Sequence, residues 1–358
     1  MMYIAKKFIF TYIMNGSSRN QEPDCQVRDL LEKGADWIEP LATGLPAPIR
    51  RNFSKAIGRL MSVAVEYPAN WIENKIQESK AESDARIKII AETTKQIVRN
   101  LEVDPKYAHL ATDKFAKRIV REQTNKDKIS LLACQEIAKL PHKTSVSTDA
   151  EVNQLPEIDE DWLNLFESEA ANISNEHAQK LFAKILAGEI NQPSSFSKKT
   201  LRLLSQLDQG IAEIFTRACS MTISLRINGK IQDARVVGMG LIGSNSLRAY
   251  GLGFNQCIAL QEFGLVITDL NSYLDYQFMQ IVDHAIGAGM WHQNNHWGLS
   301  KPSGSTRNEM MIYGLKFTSF GNELLEIVDI HPVPEYTEAL TTWLENVSGG
   351  KLTKIQLV

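Results

Sequence analysis

The most specific chemical signature in this 358-residue chain is Gly238-Met239-Gly240-Leu241-Ile242-Gly243. It fits the G-x-G-x-x-G spacing that seats a dinucleotide pyrophosphate at a helix N-terminus. A strand-like stretch, Ala234 to Val237, precedes it, and Val266-Ile267-Thr268-Asp269 could carry a ribose-binding acid. The spacing argues otherwise: Gly251 and Gly253 break the helix that the motif would open, Asp269 comes later than the usual ~20 residues, and no further βαβ units follow. A glycine-rich loop between strand and helix is the expected reading. His292 and His296 stand four apart, so on a helix both would point one way, with His284 nearby, and metal ligation needs such convergence. The intervening Gln293-Asn294-Asn295 has no zinc-hydrolase glutamate, no Cys is close, and Trp291 and Trp297 flank the pair, which favours a polar, aromatic insertion loop. The carboxylates of Glu157-Ile158-Asp159-Glu160-Asp161 precede Trp162, where a helix N-terminus favours negative charge. Neither a nucleophile elbow nor a G-x-x-x-x-G-K-[ST] loop occurs. No catalytic, cofactor-binding or metal-binding residue is assigned, no cofactor is expected, and the chain reads as a non-enzyme.

The elements that would position these residues are mainly helical. Val27 to Ile38 reads as a short helix, and Pro40, Gly44, Pro46 and Pro48 then make a linker. From Ile49, the run Phe53, Ile57, Leu60, Met61 and Val65 keeps helical spacing beside Arg50, Arg51, Lys55 and Arg59. That composition suits packing on a partner helix or, as an alternative, an anionic membrane surface. Trp71 to Leu101 is a long charged helix, and after Pro105 a second runs from Lys106 to Leu140 with Leu110, Phe115, Ile119, Ile129, Leu132 and Ile137. Their narrow apolar stripes suggest a helical hairpin or an oligomeric coiled coil. Arg50 to Lys128 holds 17 Lys and Arg against 11 Asp and Glu, whereas Asp149 to Ile190 holds 2 against 10. Solvated helix faces are the favoured account. Mutual pairing, or a nucleic-acid or lipid partner for the basic stretch, is the alternative.

Beyond a polar linker, Pro141 to Leu155, helices are expected over Asp159–Ile173, over Asn175–Ile190 with Ser174 as N-cap, and over Leu201–Ser220 started by Ser197 or Thr200. Thr222 to Ile227, the turn Asn228-Gly229 and Ile231 to Val237 read as a hairpin. Gly253 to Glu262 reads as a helix, Leu265 to Ile267 and Met310 to Phe317 as extended, and Thr318 to Leu325 as a capped helix. This order resembles a winged helix-turn-helix frame, with Asn271 to Asn308 too long for an ordinary wing.

Several strings resemble a bacterial family catalogued as domain of unknown function 2806 (DUF2806). They are Lys80 to Ile87, Lys114-Phe115, Glu122-Gln123, Lys128-Ile129, Asp161-Trp162-Leu163, Ile173 to Glu176, Leu181 to Ile190, Gln192 to Ser197, Thr200-Leu201 and Leu260 to Leu265. The central string is also similar to abortive-infection proteins of the Abi-alpha type. The resemblance implies no established activity and no accepted catalytic residues, and it implies a setting in phage defence or mobile-element biology. On physical grounds, Gly188 and Pro193 end one helix and Phe196 plugs the corner.

The expected architecture is mainly α within α+β: a long N-terminal helical hairpin, a central three-helix module, and a C-terminal winged-helix-like α+β part with an insertion. The boundaries are 1–48 (tail and linker), 49–140 (charged helical or coiled-coil region), 141–155 (linker), 156–220 (helical module), 221–346 (winged-helix-like region) and 347–358 (tail). Cys25, Cys134, Cys219 and Cys257 are widely spaced, so free core thiols in a reducing cytoplasm are expected. The run Phe8 to Ile13 behind Lys6-Lys7 is shorter than the ~20 residues that span a bilayer, no convincing cleavage site follows it, and Met1 and Met14 both stand as starts. The expected function is protein–protein interaction through a partner or a homo-oligomer, as a sensor or effector. Nucleic-acid binding by the winged-helix-like frame and membrane-surface action by residues 49–65 are the alternatives. Against the first of these, Gly253 to Glu262 has no Lys or Arg.

Overall fold

A computed structural model describes residues 38, 40–61, 105–140, 156–227, 229–240, 245–269, 271–283 and 289–355. The expected charged helix Trp71–Leu101 (hence the hairpin), the linker Pro141–Leu155, nearly all of the helix 27–38, Cys25 and His284 lie outside these residues. The described chain is α+β, a set of packed helices followed by a mostly antiparallel sheet.

Helix α1 (Ala47–Leu60) starts after Pro46 and carries Pro48 in its first turn, where a missing N–H leaves no helical bond unmade. Its stripe of Phe53, Ala56, Ile57 and Leu60 is fully buried, so the face considered for a membrane surface is part of the core. Helix α2 (Pro105–Lys139) buries Ile129, Ala133, Cys134 and Ile137 in its second half, which lies against α3 (Glu160–Asn172) and α4 (Glu176–Asn191). Asp159 caps α3 by accepting from Trp162 N–H at 2.8 Å. Asn175, rather than Ser174, caps α4, accepting from the N–H groups of His177 and Ala178.

The expected third helix is two. The chain leaves helical backbone at Leu207, and the Asp208 carboxylate accepts from Ile211 N–H at 2.8 Å, so that α5 (Lys198–Gln206) is followed by α6 (Gln209–Met221). Leu204, Leu207 and Ile211 keep a helical period across the break, and that period masked a capping aspartate.

β1 (Thr222–Ile227) and β2 (Lys230–Val237) form the expected hairpin, with a register shift between Leu225 and Arg226. After a 3-10 turn (Ser246–Tyr250) come α7 (Phe254–Glu262), β3 (Val266–Ile267), β4 (Tyr273–Asp275), β5 (Gln280–Ile281), β6 (Met290–His292), β7 (Asn295–Ser300) and β8 (Met311–Phe317). The chain closes with α8 (Ser319–Leu325), α9 (Pro334–Ser348) and β9 (Lys351–Lys354). The sheet runs β3-β8-β2-β1-β6-β7-β5, with β4 also on β8 and β9 on β7; of these pairings only β5–β7 is parallel. The stretch 271–308, expected as an insertion loop, thus supplies four strands. Helix α9 crosses the boundary placed at 346, and β9 lies inside the expected tail. Pro334 at the helix start and Gly349 in left-handed backbone after its end are the start and stop signals that α9 carries in sequence.

Candidate functional site

The string that carries the family resemblance folds into one corner. Gly188 does not end α4, which continues to Asn191; a Cβ there would stand 2.6 Å from Phe196 Cε2, so glycine makes room for the ring. Glu189, fully buried, turns its carboxylate onto the following loop and accepts from the N–H groups of Ser194 (2.6 Å), Ser195 (3.0 Å) and Phe196 (3.1 Å). Phe196 is held from the other side, because its carbonyl accepts from Trp162 Nε1 at 2.8 Å. Glu323, from α8, accepts from Ser197 N–H and from Thr200 Oγ1, tying the corner to the C-terminal part. Burial pushes the Glu189 carboxyl above its ordinary range despite its three donors, and Glu323 adds repulsion. Each of these polar groups is matched by a protein partner, so the corner is a folding device.

Gly238, Met239 and Gly240, the described part of the glycine signature, do not open a helix. Met239 (φ 52°) and Gly240 (φ 80°) make a turn after β2, and α7 begins only at Phe254. Further along the chain lies an open cavity of about 350 Å³, lined by Asn245, Arg248, Gly251, Gly253, Phe254, Asn255 and Gln256. Asn245 (φ 55°) accepts from Phe254 N–H through its side chain, and Gly251 (φ 84°) turns under Arg217, whose Nε donates to the Tyr250 carbonyl at 2.8 Å. Phe254 is 64% exposed although it opens a helix.

His292 and His296 are divided by a sheet. They lie on β6 and β7, joined by a tight turn in which Gln293 and Asn294 are both left-handed, and His296 pairs with Trp291 while His292 pairs with Asn295. His292 is buried, with Nδ1 3.0 Å from the Thr222 carbonyl oxygen and Nε2 3.1 Å from Thr337 Oγ1. His296 stacks on Trp291 at 5.0 Å between centroids. The four-residue spacing that would converge on a helix belongs to residues that alternate as strands. Among the described residues no group of three or more His, Cys, Asp or Glu could hold a metal.

The opposite charges counted along the chain meet each other. Arg59 bonds Glu160 at 3.0 Å and Glu167 at 2.9 Å, Lys126 bonds Glu167 at 3.0 Å, and Lys55 stands 3.3 Å from Glu160. Mutual pairing, rather than solvated faces alone, therefore accounts for part of the asymmetry. The first half of α2 is different: Leu110, Phe115, Ile119 and Val120 are 44–60% exposed, beside exposed Lys114, Lys117, Arg118 and Arg121.

One internal cluster had no clear sequence signal. Arg235, 1% exposed, grips Asp233 through Nε (2.7 Å) and Nη2 (2.6 Å) and donates from Nη1 to the carbonyls of Ile312 and Ser272. Tyr276 donates to the same aspartate at 3.1 Å. The only hint in sequence is the i, i+2 spacing, which puts both charges on one strand face. Cys134 and Cys219 are buried free thiols, Cys134 pushed up to about 12 by burial, and no described helix is long and apolar enough to cross a membrane.

A family model described as "Protein of unknown function (DUF2806)" matches residues 111–341. No curated protein and no solved structure matches the chain.

Proposed function

The chain belongs to the DUF2806 family, and from that premise we propose that it works by protein–protein association through the exposed half of α2. The observation that carries this reading is Phe115 and Ile119, left open together with Leu110 and Val120 on the half of α2 that precedes the buried Ile129, Ala133, Cys134 and Ile137. Phe115 and Ile119 are one turn apart, on the side that continues toward Ile129 and Ala133. Large apolar side chains grouped on a monomer surface mark interaction sites. The setting we propose is phage defence or mobile-element biology, in line with the resemblance to abortive-infection proteins. Light-scattering chromatography tests the association: the full chain is expected to run above 40.2 kDa and the Phe115→Glu/Ile119→Glu variant to fall back toward monomer. A monomeric parent chain with no change on substitution would sink it.

A second reading is nucleic-acid binding by a winged-helix-like frame, and one observation favours it. The strand order β2-β8-β3 encloses, in sequence, the 3-10 turn and α7, so a helical pair sits between the outer strands as in that frame. The long wing segment would then be the part built into the sheet as β4 to β7.

A further inference from the structure

We infer that the open face of α7, with Arg217 and Arg248, is a docking surface for duplex DNA; this rests on the winged-helix-like reading. Residues 253–262 contain no Lys or Arg, which speaks against nucleic acid if the helix is considered alone. Tertiary structure brings in the missing charge. Arg248, exposed on the preceding 3-10 turn, lies against Gly253, and Arg217, exposed on α6, reaches across to Gly251. Among the described residues neither guanidinium has a carboxylate partner; Arg217 uses its Nε on the Tyr250 carbonyl and leaves its terminal nitrogens for a ligand. Beside Arg248 the groove presents Asn255 and Gln256, amides that match adenine edges, and Phe254, an aromatic that matches a thymine methyl, and Arg217 adjoins it at Gly251. Arginines for phosphate beside amides and an apolar tip for base edges are the division of labour of a duplex-reading surface. Glu262, at the far end of α7, repels phosphate, so the first turn of the helix is the part that approaches. The occupant is DNA rather than RNA, because a helix fits the wide major groove of B-form DNA, whereas the A-form major groove is too narrow to admit it.

The test is fluorescence anisotropy of the full chain with a labelled mixed-sequence duplex of about 20 base pairs and the matching RNA duplex, over a series of salt concentrations. Arg248→Glu alone is expected to weaken DNA binding, and Arg217→Glu/Arg248→Glu to weaken it further and to make the log–log salt slope shallower by about two. Asn255→Ala/Gln256→Ala is expected to reduce discrimination between duplex sequences while keeping the salt slope. Because Arg217 also supports the Gly251 turn, circular dichroism accompanies its variant, and the exposed Arg248 variant stands as the independent probe. DNA binding indifferent to all these variants would overturn this surface while leaving the winged-helix-like reading in place. RNA bound as well as DNA would overturn the choice of partner, and binding of neither would remove both the surface and the reading beneath it.

Discussion

Gly188 shows how much one hydrogen atom can decide. Its Cα faces the Phe196 ring, and the backbone that carries the ring is held in place, because Phe196 N–H is bound by Glu189 and its carbonyl by Trp162 Nε1. Gly188→Ala overpacks a corner pinned on both sides, so a loss of about 1–3 kcal/mol is expected in urea unfolding. Phe196→Leu in the same background should recover part of it, giving a non-additive double-mutant cycle. An unchanged midpoint for Gly188→Ala would mean that the ring is not confined. The importance of this corner was visible in sequence as a dense string; the reason was not. Glycine there suggested a helix end, and only the approach of residue 196 shows that it serves a contact inside a continuing helix. The segment around the two histidines was expected as a polar, aromatic insertion loop and is a strand pair: a four-residue spacing is ambiguous between helix and hairpin, and the turn at Gln293-Asn294 decided for strands.

At the scale of elements, local chemistry was a good guide wherever it was consistent with itself. Helices α3, α4 and α7, strands β1, β2 and β8, and the cap of α8 fall within a residue or two of where periodicity and capping residues placed them. The division of α5 from α6 was hidden, since the apolar period persists while Asp208 offers its carboxylate to Ile211 N–H. Asp208→Ala removes that cap, and a destabilisation of about 1 kcal/mol is expected in the urea midpoint. A loss indistinguishable from zero would show that tertiary packing alone holds the break. Three of the four strands of 271–308 were missed for a physical reason: β4, β5 and β6 are two or three residues long, too short for alternation to register. They are fixed by partners such as the Arg235 guanidinium on the Ser272 carbonyl.

For the whole molecule, burial and pairing set the response to pH. Burial holds His292 below the usual histidine range, against the Thr222 carbonyl that favours its charged form, and likewise holds His296 down. A depressed folded value means that the unfolded chain takes up protons first, so this stability is present above about pH 6.5 and lost as pH falls toward the folded values. Glu167 has the same sign further down: burial would raise it, but Lys126 and Arg59 hold it low, so its contribution fades below about pH 4.3. Glu189 opposes them, since its raised carboxyl contributes most at low pH and loses that contribution as pH rises through its folded value. The melting temperature is therefore expected to fall between pH 7 and 5.5, with a shallower fall in His292→Gln. A fall of the same slope in that variant would move the cause elsewhere. By itself the sequence determined the family, the α+β class, most of the described helix positions, strands β1, β2, β3 and β8, and the free core thiols at Cys134 and Cys219, because these follow from local period, capping and spacing. Only the tertiary structure decided which charges neutralise each other, which apolar stripes are covered and where Arg217 and Arg248 stand relative to α7. Those are matters of long-range contact, and a one-dimensional pattern does not specify its partners.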